Sequence, residues 1–157
     1  GVIVRRVRDR RVWRHADGSA DEAAALGDFE LGEDDADGLS VYEVTSDAQR
    51  RAVLAAMAEA RGNTGPIDLI EVDRQVVERF GVLTPTSAGS PVLGANTLHR
   101  SLHWSQSRLH DLARALFEGQ VAVVRYNAGE VKRAVRELRD EEVAPEGLGF
   151  VRRFELE

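Results

Sequence analysis

The chain has no cysteine. That excludes disulfide frameworks, thiolate zinc sites, cysteine nucleophiles and iron–sulfur clusters. Lysine is almost as scarce: of 21 basic residues only Lys132 is lysine and the rest are arginine. This imbalance is read as the codon bias of a GC-rich bacterial genome, with arginine adding bidentate carboxylate pairing that lysine lacks. No apolar run approaches the roughly 18 residues needed to span a bilayer. No charged, apolar and small-residue leader pattern opens the chain, so the expected location is the cytoplasm and no membrane is expected as partner. The chain begins on Gly1 rather than Met, which reads as a trimmed chain or a cleavage scar. Known catalytic signatures are missing too: no G-x-S-x-G elbow, no Gly-Lys-Ser/Thr phosphate loop, no G-x-G-x-x-G and no H-E-x-x-H.

What is present is a soluble composition, 43% hydrophobic and 31% charged over 157 residues. The length is enough for one domain, 1–157, whose core needs no staples. Net charge is −6, which argues against duplex nucleic acid as the partner. Charge is also segregated. Residues 1–15 hold six arginines (Arg5, Arg6, Arg8, Arg10, Arg11, Arg14) against Asp9, and Ala16 to Gln49 holds eleven acids and no basic residue. Asp17 to Gly38, rich in Ala, Gly and Asp, is expected to be an acidic loop or insert with a short strand at Phe29–Leu31. Opposite charge so near in sequence would draw it across the basic front.

Periodicity gives the elements. Val2–Val7 and Val12–Trp13 read as two strands of a hairpin. Leu39–Val44 reads as a strand, Ser46 and Gln49 as a capping box, and Asp47–Arg61 as a helix ended by Gly62. Ile67–Val72 completes a β-α-β unit. A short helix follows from Arg74 to Phe80, capped by Asp73, and Leu83–Thr97 is a long Pro/Gly/Ser loop. Ser105 caps a helix to Glu118, Val121–Tyr126 is a strand, Asn127 and Glu130 form a second capping box, and Phe150–Leu156 alternates like a last strand. The expectation is α/β or α+β: one mixed sheet of five to six strands with three main helices.

His99 and His103 are four apart, a spacing that keeps both imidazoles on one face of a helix or a strand. With His110 they are the candidate metal ligands or general base of a small hydrolase or transferase, the three-histidine pattern that leaves one zinc position open. The intervening Arg100 opposes a cation, and the alternative is a set of structural imidazoles; no cofactor is expected. Glu33–Gly38 begins like a calcium loop, but Val44 stands where the bidentate glutamate belongs. Arg5, Arg6, Arg8, Arg10 and Arg11 with Trp13 form a candidate binding surface, and Asn96 a candidate beside the long loop. The leading expectation is a non-enzymatic binding or regulatory module acting through a protein partner, by a contact that weakens with salt. The small hydrolase or transferase is the alternative, and single-strand nucleic-acid binding by the arginines the third reading. The oligomeric state is left open.

Overall fold

The computed structural model describes residues 1–14, 20–33 and 38–156. Six strands form one sheet: β1 Val2–Val7, β2 Leu39–Val44, β3 Ile67–Asp73, β4 Thr84–Pro85, β5 His99–Leu102 and β6 Val123–Tyr126. Their order is β4-β5-β2-β1-β3-β6, and every neighbouring pair is antiparallel where a mixed sheet is expected. The class is α+β. The helices are α1 Glu22–Gly27, α2 Asp47–Arg61, α3 Arg74–Glu78, α4 Leu93–Asn96, α5 Gln106–Glu118, α6 Ala128–Arg136 and α7 Leu148–Glu155. The three long ones, α2, α5 and α6, are those the sequence predicts. Among the described residues no helix is long and apolar enough to cross a membrane.

The sheet is covered on both faces because alternate side chains of β1 point to opposite sides. Ile3 and Val7 join Leu39, Val41 and Ile70 in a first core beneath Trp13, Phe29 and α5. Val4 joins Val44, Ile67 and Leu69 in a second core against α2, α6 and α7. β2 and β3 each run antiparallel to β1, hence parallel to each other. The expected β-α-β unit therefore exists, with β1 inserted between its strands. α2 ends where Gly62 takes a left-handed φ of 77°, the turn that a glycine enters without steric penalty. The box at its start is shifted: Ser46 accepts from the Gln49 N–H, but Gln49 reaches back to Thr45. The second box, Asn127 with Glu130, forms as expected.

Six further readings need correction, the first being that Asp73 precedes α3 but its side chain makes no capping hydrogen bond. Val12–Trp13 is no strand: Asp9 caps a single 3₁₀ turn, Arg10–Trp13, that swings the indole into the first core. The described part of the acidic segment holds α1, capped by Asp21. Phe29–Leu31 is no strand either, since Gln106 donates to the Phe29 carbonyl and accepts from the Leu31 N–H. The long loop contains β4 and α4, and β5 follows it. Phe150–Leu156 is helical: Val151 and Phe154 are the buried pair, and their three-residue spacing fits a helix. The calcium reading rests on 34–37 and the histidine at 15 on 15–19, which lie outside the described residues.

Candidate functional site

Three of the N-terminal arginines, Arg5, Arg8 and Arg11, bond groups of the chain itself, although Arg8 and Arg11 stay largely exposed. Arg5 donates to the carbonyls of Asp28 and Ser40 at 2.8 and 2.6 Å and lies over the Phe29 ring. Arg8 pairs with Asp28 at 3.7 Å and donates to the Gly27 carbonyl. Arg11 grips Asp9 with two nitrogens, which holds the Asp9 carboxyl down at about 2. The Arg10 N–H reaches Asp68 at 3.3 Å, and Arg6 is exposed beside Arg61. Trp13 is 3% exposed, packed edge-on to Phe29, so neither face of the ring is open to a base. Asn96 closes its own loop, exchanging two hydrogen bonds with the Ser90 backbone at 2.9 and 2.8 Å.

The histidines are not brought together. His99 is 9% exposed on β5; its Nδ1 meets Thr86 Oγ1 at 2.6 Å, and that hydroxyl meets Ser101 Oγ at 2.9 Å. Burial, with Arg100 nearby, lowers the imidazole below its ordinary value and favours the neutral ring. His103 lies beyond the end of β5 and is exposed, so the shared face that a continuing strand would give is lost. His110 is on α5 with Nε2 3.9 Å from Glu30. Among the described residues, no group of three or more His, Asp or Glu side chains is placed to hold a metal ion.

One feature with open geometry is a cleft of about 670 Å³ between the end of α3 and α5. Gly81, one of its lining residues, rests on the buried Trp104. The indole sits so close beneath Gly81 that a Cβ there would lie 2.5 Å from the ring. The indole N–H donates to the Val82 carbonyl at 2.9 Å. With its backbone pinned this way, Val82 projects its side chain to solvent at 75% exposure, the most exposed valine in the described chain. Phe80 and Leu83 flank it.

Charge around the cleft does not balance. Arg74 is bound by Glu43 at 2.8 Å and by Glu78. Asp111 is 3.8 Å from Arg114. Arg79 and Arg108, which also line the cleft, are exposed and make no side-chain hydrogen bond or ion pair among the described residues. The acids of the cleft thus have cations of their own, and two guanidinium groups are left facing solvent. Sequence reading passes over Arg79, Val82 and Arg108 because the cleft is made by tertiary packing of segments some thirty residues apart. The one local signal is an apolar residue directly after Gly81, the expected stop of the short helix, which in the structure already ends at Glu78. No family model, curated protein or solved structure matches the chain. Fold and site therefore define it here as an α+β protein with an open cleft lined by charged side chains, two of them unengaged arginines, around exposed Val82.

Proposed function

We propose that the chain is a non-catalytic binding module of the bacterial cytoplasm that acts through a protein partner, with the cleft as its docking surface and duplex nucleic acid outside its range. The observation that carries this reading is the pair of unengaged arginines, Arg79 and Arg108, lining the same cleft as exposed Val82. An acidic protein segment with one apolar side chain complements that arrangement. Its carboxylates would take the two guanidinium groups, which bind carboxylates bidentately. Its apolar side chain would cover Val82 and Phe80. On a chain of net charge −6, a local cationic surplus also orients an acidic partner as it approaches. The expected surface moves from the N-terminal arginines to the cleft because Arg5, Arg8 and Arg11 are engaged within the chain itself.

The test uses a synthetic probe, a fluorescent glutamate-rich peptide containing a single leucine, titrated with the whole protein by polarisation. Binding should weaken as salt rises. The double variant Arg79→Glu, Arg108→Glu should lower affinity about tenfold or more, the effect of losing two charge-assisted contacts. Val82→Ser should weaken the leucine peptide and leave an all-glutamate version unchanged. Arg152→Glu, an exposed arginine of α7, should have no effect. Binding that ignores the Arg79/Arg108 reversal, or no binding of either peptide, overturns the reading.

A further inference from the structure

β6 is the last strand of the sheet order and, among the described residues, pairs only with β3. Just before it, the Glu71 N–H donates to the Ala122 carbonyl. In an antiparallel ladder successive residues turn their N–H and C=O to opposite sides. Ala122, Val124 and Tyr126 therefore face β3, and Val123 and Arg125 present their backbone groups outward. No other group among the described residues bonds those outward groups.

Natural edge strands are guarded by proline, bulges, extreme shortness or projecting charge. The opposite edge, β4, is two residues long and ends in Pro85. β6 is less protected. Its one charge, Arg125, is drawn back onto Asp68 by two hydrogen bonds of 2.8 and 2.9 Å. Val124 is left 36% exposed in the middle of the strand.

We infer that β6 pairs with the β6 of a second copy of this chain, antiparallel about a two-fold axis at Val124, to give one continuous sheet through both copies. The argument is self-complementarity. In this register Val123 of each copy exchanges N–H and C=O with Arg125 of the other, so every outward backbone group is used. The two Val124 side chains meet on one face as a non-hydrogen-bonded pair, with Cα atoms about 4.5 Å apart. Arg125 lies opposite Val123, and Ala122 opposite Tyr126, so no like charges face each other. The neighbouring registers fail. An axis at Arg125 sets the two arginines against each other, which destabilises a sheet pair. An axis at Val123 needs the Val121 N–H, which already donates to the Leu116 carbonyl.

Sedimentation of the whole chain from micromolar to millimolar concentration tests this. The wild type should show a monomer–dimer equilibrium. Val124→Glu and Val124→Lys each set like charges opposite one another, and each should weaken association about tenfold or more. An equimolar mixture of the two variants should restore it. Val123→Pro removes one outward N–H per copy, a change an edge strand tolerates, and should weaken association about thirtyfold. Circular dichroism should show all three variants folded, and a variant that fails this check is read through the other two. A wild type that stays monomeric at millimolar concentration overturns the inference, including one that instead accepts an added extended peptide. So does a dimer that folded variants leave intact, or a mixture of the glutamate and lysine chains that fails to associate.

Discussion

The carboxylate of Asp28 accepts the indole N–H of Trp13 at 2.9 Å inside the first core. Its other oxygen takes the Arg8 N–H at 3.3 Å. One acid of the acidic segment thus anchors the basic front, and at 6% exposure it has almost no water to replace those donors. Asp28→Ala leaves a buried indole N–H without an acceptor. The expected cost is about 1–3 kcal/mol of unfolding free energy, measured by denaturant titration followed by tryptophan fluorescence. Asp28→Asn keeps an acceptor oxygen and should lose less.

Gly81 is a packing requirement. A methyl group there would lie 2.5 Å from the Trp104 ring, so Gly81→Ala must displace the indole and break its bond to the Val82 carbonyl. We expect a loss of about 1–3 kcal/mol, the range for overpacking, with a shift in tryptophan emission. Gly94→Ala is the control, because a Cβ at Gly94 meets only ordinary contact at 3.9 Å.

Elements bounded by local chemistry were legible in the sequence, and those defined by tertiary packing were not. α2, α5 and α6 have caps and apolar stripes within one stretch of chain, so they fall where Ser46, Ser105 and Asn127 put them. Phe150, Phe154 and Leu156 satisfy an alternating pattern, yet Phe154 packs into the second core from a helix and Leu156 is exposed. A segment of seven residues does not separate the two periods. His99 and His103 share a face only if the strand continues, and β5 stops at Leu102. The cleft depends on Trp104 meeting Gly81, a contact that neither local segment encodes.

Cutting Phe154 back tests the helical reading of the last element. Phe154 is buried against α6 and its neighbours, and Arg153 lies over its ring at 4.8 Å. Phe154→Ala should cost about 3–5 kcal/mol, as for other buried phenylalanines, whereas Phe150→Ala, at a more exposed position, should cost less. Val151→Ala discriminates the two: the helix buries it beside Phe154, so it should cost stability, whereas an alternating strand would turn it to the opposite face from Phe154. A neutral Val151→Ala in denaturant titration would fit the strand instead.

Stability should fall with acid in two separable limbs. His99 is held neutral by burial, its folded value depressed below 6.5. As pH drops through 6.5 the unfolded chain takes up this proton before the folded one does, so unfolding gains and stability declines until the folded value is passed. Asp68 moves the same way for a different reason. Its hydrogen bonds from Arg125 depress the carboxyl below 3.8, and the unfolded chain again protonates first as pH falls from there. The contribution of this pair is complete above that range and lost through the folded value. His99→Gln should flatten the upper limb and leave the lower one. Arg125→Met should shrink the lower limb to the part that Asp9, held at about 2 by Arg11, still contributes and, by leaving Asp68 with the Arg10 N–H as its one donor among the described residues, reduce stability at neutral pH. Unfolding free energies measured from pH 8 to pH 3 check both. An upper limb that survives His99→Gln would place that titration on another group.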